Sequence, residues 1–240
     1  MHVTACADTA ELASRAAALW LDRLRAKPDL VIAVPAGRTP RTLYARLRSV
    51  HAADPAPFSR MHVFAVDELC PPAPPDGYFW RQIRRELLDW AQIPPANLHP
   101  FDVAAPDLEA MCRDYEAAIA AVGGLDLVML GLGPNAHLAS NEPGSPGHSR
   151  TRPVALLPGT VDYILTDEVI QGAVSSRAVT LGLATIAEAR EVVVLVAGAH
   201  KRTPLRAMLA GPATSEVPAS ILQRHARCTV LATQDALENP

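Results

Sequence analysis

The chain has 240 residues, of which 49% are hydrophobic and 20% charged, with a formal net charge of -3. Such a composition supplies a full buried core and excludes the strongly basic surface that nucleic acid or an anionic membrane requires. Aromatic residues, at 5%, are too sparse to form stacking platforms for single strands.

No run approaches the roughly 18 apolar residues of a membrane-spanning helix. The start, Met1 to Asp8, lacks the basic and apolar regions of a signal peptide. Cys6, Cys70, Cys112 and Cys228 show neither C-x-x-C nor metal-ligand spacing. They read as reduced packing or surface thiols of a cytoplasmic protein.

From Asp8 to Lys27, apolar residues recur at helical spacing (Leu12, Ala16, Leu19, Trp20, Leu24), with Asp8 and Glu11 placed as a capping box. Leu30 to Val34 is a continuous apolar run, as expected of a strand buried on both faces of a parallel sheet. The turn Pro35-Ala-Gly-Arg-Thr-Pro40 leads from it into a helix starting near Thr39. The pattern then repeats. Strands are expected at Met61–Val66, Leu125–Leu130, Val179–Leu183, Glu191–Ala197 and Cys228–Ala232. Helices are expected at Tyr78–Trp90, Asp107–Val122 and Lys201–Leu209, with a short one after Leu183.

This alternation predicts an α/β fold: a Rossmann-like, doubly wound, mostly parallel sheet with helices on both faces. The prolines gather between elements, as in Pro71–Pro75, and no linker or internal repeat divides the chain. Residues 1–240 read as one domain, and the irregular stretch of roughly 144–176 as a lid.

In open α/β sheets, ligands collect beyond the carboxyl ends of the strands. Those positions hold Gly37, Arg38 and Thr39 after the first strand, then Asp67 and Glu68 after the second. Gly131, Gly133, Asn135 and His137 follow the third, with Glu142 behind them, and Gly198, His200 and Lys201 follow a later one. The glycine turn before a helix N-terminus suits an anion, although a plain β-to-α turn reads the same way. It lacks P-loop spacing. Gly131-Leu-Gly-Pro-Asn-Ala136 fits G-x-G-x-x-A, but Pro134 and the missing downstream acid argue against a dinucleotide. Taken singly, Asp67 reads as a cap or salt-bridge partner and His137 as a loop histidine. Brought together with Glu142, they form an acid/base group suited to proton shuttling near neutral pH.

In their order along nearly the whole chain, these pieces resemble the glucosamine-6-phosphate deaminase/6-phosphogluconolactonase family, which includes galactosamine-6-phosphate isomerases. The most specific block is His137-Leu-Ala-Ser-Asn-Glu-Pro143 followed by Ser149-Arg-Thr-Arg152. Its Asn-Glu-Pro resembles the amino-sugar deaminases, whereas lactonases usually carry a Leu-Phe-Pro-like end. The resemblance implies aldose–ketose isomerisation coupled to loss of ammonia, on a small phosphorylated sugar. It assigns Asp67 as the base between C2 and C1, His137 to ring opening, and Glu142 to tuning His137. Lys201 and the backbone of Gly37 to Thr39 would hold the phosphate. No metal or organic cofactor is implied, and a homo-oligomer is left open.

Three residues depart from the family pattern. Asn135 stands where deaminases usually have an aspartate, as in the galactosamine-6-phosphate isomerase branch. Arg38 replaces a small residue, and Thr166 falls where a lid arginine usually grips the phosphate. The last two changes fit together if Arg38 supplies the missing cation; otherwise Arg38 faces solvent. Ser145 and Arg152 echo the family's allosteric site only in part, so activation by an acetylated sugar phosphate is not expected. Two rival readings remain at this level: a 6-phosphogluconolactonase, with His137 activating water, and a non-catalytic sugar-phosphate-binding relative.

Overall fold

The computed structural model of the chain describes residues 1–74, 77–170, 172 and 174–238. Pro75 of the proline cluster and residues 171 and 173 of the expected lid lie outside the described residues. In chain order the regular elements begin with β1 (His2–Cys6), α1 (Thr9–Ala26), β2 (Val31–Val34), α2 (Arg38–Ala53), β3 (His62–Ala65) and β4 (Asp67–Leu69). Next come α3 (Phe79–Ile83), which runs on through a π-helical turn (Arg84–Leu88) into α4 (Asp89–Ala91), then β5 (Leu98–His99), α5 (Leu108–Ala121) and β6 (Leu127–Gly131). The last part holds β7 (Arg152–Ala155), α6 (Pro158–Leu165), β8 (Arg177–Thr180), α7 (Leu183–Ala187), β9 (Glu191–Val196), α8 (Arg202–Ala210), β10 (Cys228–Thr233) and α9 (Gln234–Leu237).

Seven strands form a parallel sheet in the order β1-β10-β9-β6-β2-β3-β5, with helices around it. Its central strands are the apolar runs of the sequence: β2 and β9 are buried at every position. The helix α1 forms as its pattern predicts. Asp8 accepts from the Glu11 backbone amide at 2.8 Å, while the Glu11 carboxylate accepts from Ala7 N at 2.7 Å. Leu12, Ala16, Trp20 and Leu24 bury its inner face.

Strand order fixes the site. From β2 the chain builds outward through β3 and β5, then returns to lay β6 against the other side of β2. The carboxyl ends of β2 and β6 therefore flank the switch point at which a crevice opens.

A second, three-stranded antiparallel sheet, β4-β8-β7, corrects two expectations. The strand expected at Val179–Leu183 lies at Arg177–Thr180 and belongs to this small sheet. The segment 144–176 is less irregular than expected, since it contains β7 and the helix α6. Proline hides both: Pro153 sits inside a strand with one partner, and Pro158 opens a helix, where its missing N–H costs nothing. A smaller apolar cluster of Leu69, Tyr78, Leu156 and Ala178, joined by Val161 and Ile164, packs α6 against this sheet.

Candidate active site

Asp67 sits where the polypeptide leaves the parallel sheet for the small one. Val66 N still bonds to Val34 O at 3.2 Å, and Leu181 N already bonds to Val66 O at 2.8 Å. The next residue, Asp67, pairs with Thr180 and opens into the crevice. The carboxylate is buried, and among the described residues its side-chain donor is Ser140 Oγ, at 2.7 Å from Oδ2. Burial pushes its pKa up to about 7; the Ser140 bond pulls it down, and the nearby Glu68 charge raises it. Asp67 is thus poised to give or take a proton near neutral pH.

Glu68, its neighbour in sequence, does something else. Its carboxylate accepts backbone N–H bonds from Leu69, Tyr78, Phe79 and Trp80 at 2.7–3.1 Å. It caps the start of α3 from inside and clamps the loop above β4. Gly77, at φ +73°, is required there, because a Cβ would lie 2.3 Å from Glu68 Oε2.

His137 comes from the loop after β6. Gly133 allows its position: a Cβ on that glycine would lie 2.2 Å from the imidazole ring. The second glycine of the apparent dinucleotide motif therefore makes room for a histidine. Two alanines flanking His137 and Leu138 adopt left-handed backbone, Ala136 at φ +64° and Ala139 at φ +50°. Each costs of order 1–3 kcal/mol, a strain concentrated beside the residues that face the crevice.

Behind His137, Glu142 Oε2 lies 3.5 Å from the imidazole Nδ1, close enough to pair with a protonated ring but beyond an ordinary hydrogen bond. Asn135 Nδ2 donates to the same oxygen at 2.7 Å, and Leu157 N donates to Oε1 at 3.1 Å. Burial alone would raise the Glu142 pKa, but His137, Thr160 and Asn135 grouped around it bring it down to about 2. Asn135 holds the carboxylate; its Oδ1 also accepts from His137 N at 3.2 Å.

The other wall is cationic. Gly37, at φ +117°, turns the chain from β2 into the N-terminus of α2, where the first turn carries no acidic residue. Tyr44 Oη braces this loop by donating to Pro35 O at 2.5 Å. Gly37, Arg38, Thr39 and Lys201 line the same crevice as Asp67 and His137. Arg38 turns toward the end of α6, with Nη2 donating to Thr166 Oγ1 at 2.5 Å and Nε 3.9 Å from Asp167. Arg38 of the loop thus touches Thr166, the residue after α6. Arg41 ties the same region together, reaching Asp167 at 3.0 Å and Glu86 at 3.0 Å.

The structure brings Asp67, His137, Gly37, Arg38, Thr39 and Lys201 to one crevice, and sets Glu142 and Asn135 behind His137. Sequence reasoning missed Ser140, Gln82 and Tyr163, which also line it. A serine inside a loop carries no periodic signal, Gln82 lies within an expected helix rather than at a strand end, and Tyr163 lies on a helix the sequence does not announce. Among the described residues, no group of three or more His, Cys, Asp or Glu is placed to hold a metal ion. None of their helices is long and apolar enough to cross a membrane.

Comparison with known proteins agrees with this geometry. The model of the family described as glucosamine-6-phosphate isomerases/6-phosphogluconolactonase matches residues 5–231. The chain belongs to that family. It is 41% identical over 216 residues to a glucosamine-6-phosphate deaminase of Pseudarthrobacter chlorophenolicus, covering 89% of this chain and 82% of that protein. It is 35% identical to glucosamine-6-phosphate deaminase 1 of Giardia intestinalis, with 98% and 88% covered. A solved monomeric glucosamine-6-phosphate deaminase superposes with a TM-score of 0.92 at 30% identity, covering 98% of each chain. A 6-phosphogluconolactonase from Trypanosoma cruzi shares the fold, with a TM-score of 0.79 at 24% identity over 99% of this chain and 96% of that one.

Proposed function

We propose that this protein is a cofactor-independent amino-sugar-6-phosphate deaminase/isomerase, converting glucosamine- or galactosamine-6-phosphate and water to ketohexose 6-phosphate and ammonia. One observation carries the reading above the others. A buried carboxylate with its pKa raised to about 7 faces the same crevice as a carboxylate-backed histidine and a cationic wall.

The chemistry follows from what each group can do. His137, oriented by Glu142, passes a proton between the ring oxygen and O1, which opens the sugar to its aldehyde. Asp67, in its ionised form, takes the proton from C2, made acidic by the adjacent carbonyl, and returns it to C1. The C2 amine becomes an iminium, water adds, and ammonia leaves. Gly37 to Thr39, Arg38 and Lys201 hold the phosphate at the far end, with residues 144–176, centred on α6, acting as a lid. The four cysteines are free and buried, as suits a reducing cytoplasm.

The test is to incubate purified protein separately with glucosamine-6-phosphate and galactosamine-6-phosphate and to measure ammonia and ketohexose phosphate. Release with either sugar, lost in Asp67→Asn, is the expected result, and the preferred sugar identifies the C4 configuration. Silence with both, together with hydrolysis of 6-phosphogluconolactone, would replace this reading with the lactonase.

A further inference from the structure

Tyr163 belongs to none of the motifs, yet it touches both cations of the crevice. It lies on α6, a helix without lysine or arginine. Lys201 Nζ lies 4.6 Å from the centroid of its ring and the Arg38 guanidinium carbon 5.1 Å away. Lys201 is buried, and among the described residues no carboxylate acts on its charge. Burial, and after it the neighbouring Arg38, oppose its protonated form, while the Tyr163 hydroxyl supports it by charge and a side-chain hydrogen bond.

Two cations drawn together in a half-closed crevice repel each other unless something sits between them. A carboxylate would do so by neutralising the site, leaving little attraction for an anionic substrate. An aromatic face stabilises a cation by its quadrupole while leaving the net charge in place. We propose that Tyr163 is the positioning residue of the phosphate site: its ring holds Lys201 and Arg38 converged and charged, ready for a phosphate dianion. The proposal rests on reading this crevice as a phosphosugar site. It gives the lid a share in phosphate recognition without a charge of its own, with Thr166 fixing the Arg38 guanidinium from the same segment.

Inorganic phosphate is the probe, titrated calorimetrically into wild-type protein, Tyr163→Phe and Tyr163→Leu, alongside steady-state kinetics on the amino-sugar phosphate. Removing the ring should weaken phosphate binding about tenfold and raise KM by a similar factor, whereas kcat at saturation moves little. The phenylalanine variant keeps the ring and should stay within about threefold of wild type. The pH above which KM climbs should fall in Tyr163→Leu, because Lys201 loses its proton earlier. Tyr163→Gln, whose side chain stays polar, serves if the leucine variant does not fold. Wild-type protein that binds no phosphate, or a ringless variant that binds it equally well, overturns the proposal. Absence of turnover with the ring-dependent phosphate affinity intact would sink the proposed activity and leave this inference standing.

Discussion

Asp67 and Glu142 are both buried carboxylates of the proposed active site, and the protein treats them in opposite ways. Asp67 emerges from the end of a strand into an apolar corner with one hydroxyl donor, and its pKa rises to about 7. Glu142 lies in a loop amid Asn135, His137 and the backbone of Leu157, and its pKa falls to about 2. Burial raises both; around Glu142 several partners outweigh it, whereas at Asp67 one hydroxyl does not. In the proposed reading, Asp67 can then serve as a base near neutrality, while Glu142 stays ionised beside His137.

The comparison is most sharply tested at Asp67. Asp67→Asn should lower kcat/KM roughly a thousandfold, the scale of a lost general base. The same substitution should stabilise the fold in a pH-dependent way. Below the ordinary carboxylate pKa of 3.8 the group is protonated folded or unfolded, so the variant gains nothing. As pH rises through the interval up to about 7, the unfolded chain releases this proton first, and wild-type stability declines. Above that, melting curves should show the asparagine variant more stable by up to about 4 kcal/mol. Equal stability at pH 8 would mean that Asp67 is not desolvated as described.

Glu142→Gln is the opposite case, with a smaller effect. Turnover should fall roughly a hundredfold as His137 loses its charged partner. Here the sign reverses, because the folded pKa lies below the ordinary one. The wild-type advantage, about 1–3 kcal/mol, is present above pH 4.5 and fades as the pH falls toward 2. A stability difference that persisted at pH 2 would assign it to packing rather than charge.

The division between legible and hidden parts follows the physics of each signal. Continuous apolar runs such as Glu191–Val196 announced the central strands, since burial on both faces demands them. The chemistry-bearing residues after those runs were readable because a charged residue such as Asp67 at the end of an apolar strand has no packing role. The edge strand β1 escaped notice, being five residues long and mostly exposed. The small sheet stayed hidden because its pairing is long-range: Asp67 meets Thr180 through a register that no local period encodes. Glu68 and Asp67 look alike as a dipeptide, and only the fold brings four amides to one of them.

The finest test concerns how Asp67 is set between its two extremes. Ser140 Oγ donates to Asp67 Oδ2, while Ser140 N donates to Thr180 Oγ1 at 3.1 Å, so the serine is anchored through its backbone to the strand that pairs with Asp67. Ser140→Ala keeps that anchor and removes only the hydroxyl. The ionised carboxylate then loses its donor, and the acid limb of kcat/KM, set near pH 7 in the wild type, moves to higher pH. At neutral pH this should appear as a loss of about three- to tenfold, within the worth of one hydrogen bond to a charged group. Rates should recover toward wild type as the pH is raised, because the remaining ionised fraction is fully competent. A limb that stays in place while the plateau drops would mean that Ser140 aims the carboxylate without tuning it. Burial alone would then set the base, and the contrast with Glu142 would rest on solvent exclusion rather than on donor count.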